Sequence, residues 1–182
     1  MDRTNNEISR SFLDLLDIMA SLRDPVSGCE WDRLQDSHTL KKYCLEEAYE
    51  VVDAIENNNT EALCEELGDL LFQIIFHAEI NSEKGHFSIH EVIINLSKKM
   101  IRRHPHVFKD NSKQNSLEEI DNNWTKIKEK ERIDKGNKYM LEDIPLALPA
   151  ITRSLKLQKR AAENGFDWEE AVDAYKKISE EK

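Results

Sequence analysis

At 182 residues the chain is long enough to bury one core, and its 34% charged and 7% aromatic content, with five Gly and four Pro, describes a helix-rich protein with few strand signals. Its formal charge of −10 excludes a general nucleic-acid binder, which would carry a basic face, so no direct nucleic-acid binding is expected. An acidic protein still binds an anionic nucleotide where metal ions mediate. Cys29, Cys44 and Cys64 form no CxxC pair, the stretch MDRTNNEISR has no apolar signal region, and no segment approaches a membrane span. The expectation is a reducing, cytoplasmic setting without a membrane, with the thiols buried in helices and inert.

In chain order, Ile8, Phe12, Leu15, Leu16, Ile18, Met19 and Leu22 repeat at helical spacing and predict a first core helix over 8–22. Asp24-Pro25 and Gly28 end it in a loop that closes on Trp31-Asp32. A Trp at a loop-to-helix junction reads first as a core anchor. Residues 40–56 and 61–82 read as two further helices. The cluster Asn57-Asn58-Asn59-Thr60 between them is a turn, with Asn59 or Thr60 as N-cap, so the pair forms an antiparallel αα-hairpin.

That hairpin carries Glu46-Glu47-x-x-Glu50 on its first helix and Glu65-Glu66-x-x-Asp69 on its second. Helical geometry projects Glu50 between Glu46 and Glu47, and Asp69 between Glu65 and Glu66. A rise of ~1.5 Å per residue puts both clusters about 10 Å from the turn, at one level. On the first helix the acids lie mostly opposite an apolar stripe of Ala48, Val51, Val52 and Ile55, as on an ordinary solvated face. The second helix is apolar around its axis from Leu67 to Ile80, which predicts burial and demands that its carboxylates be neutralised or paired. Converging carboxylates with no interleaved Lys or Arg point to a hard divalent cation, Mg²⁺ first and Mn²⁺ as a substitute. Gln73 and His77 project near the acidic arc, and His77 reads as a core residue because such a site favours oxygen.

Lys84-Gly85-His86 makes a turn, and 89–103 predicts a fourth helix with Val92, Ile93, Leu96 and Met100 on its apolar stripe, stopped by Pro105. Arg102 and Arg103 in its last turn either complement the helix dipole or clamp phosphate. Residues 109–117 read as a polar loop. A helix over 117–131 follows, with Trp124, Ile127 and Lys128 along one face, and 130–138 reads as a charged mobile linker. Residues 148–162 then form an amphipathic helix leading to Gly165-Phe166-Asp167-Trp168-Glu169. That order echoes the first helix and Gly28-Cys29-Glu30-Trp31-Asp32.

The E-E-x-x-E and E-x-x-D pair resembles the signature of the MazG family of nucleoside triphosphate pyrophosphohydrolases. Leu22-Arg23-Asp24-Pro25, Gly28 to Asp32 and Arg102-Arg103-His104-Pro105-His106-Val107-Phe108 look like that family's flanking motifs in its order; Glu30 departs from it, standing where many members carry proline. The resemblance implies an all-α, four-helix-bundle-like domain that forms an intertwined homodimer. It implies Mg²⁺-dependent cleavage of a nucleoside triphosphate between the α and β phosphates, in nucleotide-pool housekeeping or control of a stress nucleotide. Glu47, Glu50, Glu66 and Asp69 would hold the metal, and Glu46 on their flank would orient or deprotonate a water, ahead of Glu65. Trp31 and Asp32 would border the base or ribose, Arg102 and Arg103 the phosphates, and Trp124 and Lys128 would complete the pocket, a packing role for Trp124 staying open. Residues 1–132 would be the catalytic domain, 133–146 the linker, and 147–182 an incomplete second repeat; Glu180-Glu181 would open its acidic motif, but the metal-site hairpin is lacking. On the residues alone two other readings stand: a di-iron carboxylate bundle, for which neither acidic helix supplies Glu-x-x-His, and a non-catalytic helical regulatory protein whose acids bind metal or a basic partner.

Overall fold

A computed structural model describes residues 2–109, 116–134, 136, 141–167 and 170–180. Among these residues all regular structure is α-helical, and no helix is long and apolar enough to cross a membrane. The helices are α1 (Asp2–Leu22), α2 (Glu30–Leu34), α3 (Ser37–Glu56), α4 (Thr60–Glu83), α5 (Ile89–Arg103), α6 (Pro105–Phe108), α7 (Leu117–Asp134), α8 (Ala150–Ala162) and α9 (Ala171–Glu180). The chain divides into two compact units, 1–102 and 103–182. That boundary falls earlier than the one the sequence suggested at 132, and α7 takes in residues 130–134, the first part of the expected linker. Most of the polar loop expected over 109–117, the rest of the linker to 138 apart from Gly136, and Trp168, Glu169 and Glu181 of the second echo lie outside the described residues.

In the first unit the core is Met19 of α1, Leu40 of α3 and Ile75, Phe76 and Ile80 of α4, all fully buried. Phe12, Leu15, Leu16, Tyr43, Leu71, Phe72 and Ile89 pack around it. The hairpin of α3 and α4 is the most extensive packing and α1 lies against α4. Its turn is built by asparagines: Asn58 takes a left-handed φ of 53°, and Asn59 caps α4, its side chain accepting from the Ala62 amide. Asp36 starts α3 through a capping box with Thr39, so the helix begins earlier than the apolar pattern alone indicated.

The loop between α1 and α2 is fixed by local chemistry. Asp24 Oδ1 accepts from the Val26 and Ser27 amides and from the Ser27 hydroxyl. Gly28 is required there, because a Cβ would meet the Leu22 carbonyl at 2.5 Å and Asp24 backbone atoms at 2.6 and 2.7 Å. Arg23 then ties three elements together. It forms a bidentate pair with Glu83 at the end of α4 (2.5 and 2.6 Å), donates to the Asp32 carbonyl of α2 at 2.5 Å, and lies 5.4 Å from the Phe76 ring centre.

Three expectations change. Helix α4 is not buried all round: Leu67 and Ile74 are 50% and 42% exposed, because its main packing among the described residues is against α3 and α1. Helix α5 has no buried residue, and Ile93 and Leu96 of its expected core stripe are exposed. Cys29 and Cys64 are exposed and Cys44 is half-buried, so the thiols are not core residues.

The Arg23–Glu83 pair makes a prediction. The guanidinium holds the Glu83 carboxyl below the ordinary glutamate range, so its stabilisation is present above that range and is lost as pH falls through the depressed value. Arg23→Met should cost on the order of 2 kcal/mol in urea unfolding at neutral pH, and the difference should shrink once Glu83 is protonated. Equal stability of variant and parent at neutral pH would contradict the role.

Candidate metal centre

Residues 40, 47 and 54 of α3 share one face, as do residues 66, 73 and 80 of α4. Leu40, Ala54, Gln73 and Ile80 on these faces are buried, and Glu47 and Glu66 occupy the positions between and beyond them. The acids of α3 therefore do not lie opposite its packed face. Val52 and Ile55 of the expected apolar stripe are 51% and 53% exposed, and Glu47 turns toward α4 instead.

Carboxylate oxygens of Glu47, Glu66 and Asp69 lie within 4.8 Å of one another. Partial burial pushes the Glu47 carboxyl above the ordinary range, followed by the charges of Glu50 and Asp69 and a hydrogen bond shared with Glu50. Glu66 is raised in the same order of causes, by desolvation, by Glu50, Asp69 and Glu65, and by a hydrogen bond with Glu50. No lysine or arginine acts on either group. Three acidic side chains thus converge, and Glu50 on the exposed side of α3 acts on Glu47 and Glu66 through its charge. The donor set is all carboxylate oxygen and uncompensated, which fits a hard divalent cation. Gly68, beside Asp69, leaves open space where a side chain would stand.

Of the other residues singled out, Glu46 is exposed on α3 and lies outside the Glu47–Glu66–Asp69 triad, and Glu65 acts on Glu66 through its charge. Trp31 is 49% exposed with its edge to Tyr43 at 5.9 Å, and Asp32 is buried beneath Arg23. His77 is half-buried, and burial lowers its pKa. Arg102 is exposed in the first unit. In the second unit Arg103 pairs with Glu131 at 2.6 Å, Trp124 Nε1 donates to the Arg103 carbonyl at 2.8 Å, and Lys128 Nζ lies 4.8 Å from the Trp124 ring centre. Trp124 is thus anchored by packing and a hydrogen bond. The partner of Arg103, Glu131, passed unnoticed in the sequence, where it is one of several acids, with Glu129 and Asp134, in the charged end of α7. Gln73 Oε1, buried without a hydrogen-bond partner, was noticed only as lying near the acidic arc.

Residues 35–108 match the MazG nucleotide pyrophosphohydrolase domain, which takes in the whole acidic hairpin. The chain is 46% identical over 176 residues to a nucleoside triphosphate pyrophosphohydrolase of Escherichia coli strain K12, covering 97% of this chain and 65% of that one. It is 43% identical over 170 residues to the nucleoside triphosphate pyrophosphohydrolase/pyrophosphatase MazG of Thermotoga maritima, covering 93% of this chain and 64% of that one. The chain thus spans just under two thirds of each relative's length. A crystal structure of a mazG-related protein from Thermotoga maritima aligns with a TM-score of 0.54 at 28% identity, over 64% of this chain and 97% of that one.

Raised carboxyl pKa values mean that the ionised cluster works against the fold: its stability is present below the ordinary glutamate range and is lost as pH rises through the raised values. Glu66→Gln removes one of the repelling charges. In EDTA at neutral pH it should raise the melting temperature, as followed by circular dichroism. A lowered melting temperature would show that the cluster is not repulsive.

Proposed function

We propose that the chain, whose residues 35–108 match the MazG nucleotide pyrophosphohydrolase domain, hydrolyses nucleoside triphosphates between the α and β phosphates, with Mg²⁺ as its cofactor. The products are a nucleoside monophosphate and pyrophosphate. The observation that supports this reading is the convergence of Glu47, Glu66 and Asp69, whose carboxylate oxygens lie within 4.8 Å of one another. A protein that only packed its hairpin would place apolar groups there, as it does at Leu40 and Ile80.

Glu47, Glu50, Glu66 and Asp69 are the ligands of this reading. A cation held by these residues would supply positive charge to offset the phosphates and would acidify water. Glu46 is assigned to orient the attacking water and accept its proton, with Glu65 as the alternative acceptor. Trp31 and Asp32 are assigned to the base and ribose. Arg102, Arg103 and Lys128 are assigned to phosphate contacts, with Trp124 beside Lys128. Arg103 would exchange the carboxylate of Glu131 for a phosphate of similar fork geometry.

A homodimer completes the proposal. Leu67, Ile74, Ile93 and Leu96 leave apolar surface exposed on α4 and α5 of a single chain, and a second copy would cover it. The setting assigned to this activity is the cytoplasm, in nucleotide-pool housekeeping or control of a stress nucleotide.

Incubating the purified chain with Mg²⁺ and a panel of nucleoside triphosphates, and resolving the products by chromatography, tests the reaction. Monophosphate and pyrophosphate are expected, lost on adding EDTA. Glu50→Gln and Asp69→Asn should each lower turnover on the order of 100-fold or more with helix content unchanged. Diphosphate with orthophosphate would overturn the cleavage position, and full activity in either variant would overturn the ligand assignment.

A further inference from the structure

The second unit contains a cleft of about 520 Å³, lined by one face of α7 and one face of α8. In a chain of net charge −10 this cleft has the opposite sign: Lys128, Arg132, Lys156, Lys159 and Arg160 line it, against Asp121 and Glu163. Lys128 and Arg132 stand one turn apart on α7, and Lys156 and Arg160 one turn apart on α8. Like charges at that spacing destabilise each helix. Two such pairs facing one cavity need an anion.

The protein offsets only part of this charge. Arg160 is paired with Asp143, and Lys128 lies over the Trp124 ring. Arg132, Lys156 and Lys159 have no ion-pair partner among the described residues. Complementation of helix dipoles accounts for cations in a last turn, and so for Arg132, Lys159 and Arg160. It does not account for Lys128 and Lys156, which sit a turn earlier.

We propose that this cleft is a binding site for a polyphosphate group. Its volume falls in the range of small-ligand sites. Several ammonium groups from two helices suit an anion of high charge density with many acceptor oxygens better than a single carboxylate. Inorganic pyrophosphate and the phosphate chain of a nucleotide share that chemistry. Lys128 and Trp124 are also assigned to the proposed hydrolase pocket, whereas Arg132, Lys156 and Lys159 have no role in it, so the test is placed on Lys156 and Lys159.

Calorimetric titration of the full chain in EDTA separates this site from the carboxylate cluster, which cannot hold an anion without a cation. Inorganic pyrophosphate should bind saturably at one site per chain and more weakly as salt rises. Lys156→Gln combined with Lys159→Gln should weaken binding about tenfold or more while leaving any thermal shift with Mg²⁺ intact. Comparison with α,β-methylene ATP identifies the source: tighter binding of the nucleotide assigns the site to its phosphate chain, and equal binding assigns it to the inorganic anion. No saturable binding of either probe by the parent, or undiminished binding by the folded double variant, would overturn the proposal.

Discussion

The structure turns on carboxylates that repel one another within a packed hairpin. Glu47 and Glu66 sit on the helix faces that bury Leu40, Ala54, Gln73 and Ile80, so their charges cannot simply turn away into solvent. The rest of the first unit holds the two helices in place against that repulsion. Met19 of α1 closes the core on α4, the asparagine turn fixes the hairpin, and Arg23 locks the end of α4 to the loop before α2. A site that costs stability and persists because its surroundings fix it is the usual signature of function. Here the uncompensated carboxylate oxygens fit a small hard cation, which under the proposed function would let an acidic protein accept an anionic substrate.

Charge is segregated along the chain. Acid gathers on α3 and α4 in the first unit, and base on the faces of α7 and α8 that line the cleft in the second, although the net charge of −10 describes neither. The two surfaces would attract ions of opposite sign by the same physics. Each helix presents like charges on one arc, which its own packing does not neutralise and a counter-ion does.

Much of this was legible in the sequence because it depends on local chemistry. The all-α class, the turn at Asn57–Asn59, the cap at Asn59 and the stop before Pro105 follow from periodicity and capping preferences. So does the pairing of Glu47 with Glu66 and Asp69, since helical spacing and a short turn suffice to place them level. Features that depend on tertiary contact were less visible. The apolar pattern of α3 suggested Val52 and Ile55 as the packed side, yet Glu47 shares the buried face, because α4 meets α3 along Leu40 and Ala54. Arg23 reads as part of a loop motif and gives no sign of its reach to Glu83, 60 residues away. Arg103 has a sequence context that suits phosphate, and its pairing with Glu131 appears only when α7 is in place.

The account stands or falls on whether the hairpin carboxylates bind a divalent cation. The most direct measurement is electron paramagnetic resonance of Mn²⁺ added to the protein, in which only the free aquo ion gives the sharp six-line signal. The parent chain should remove Mn²⁺ from that signal saturably, Mg²⁺ should compete it back, and Asp69→Asn should weaken binding by about tenfold or more. Mn²⁺ that stays free, or that binds the Asp69→Asn variant as tightly as the parent, would contradict a metal centre at these residues.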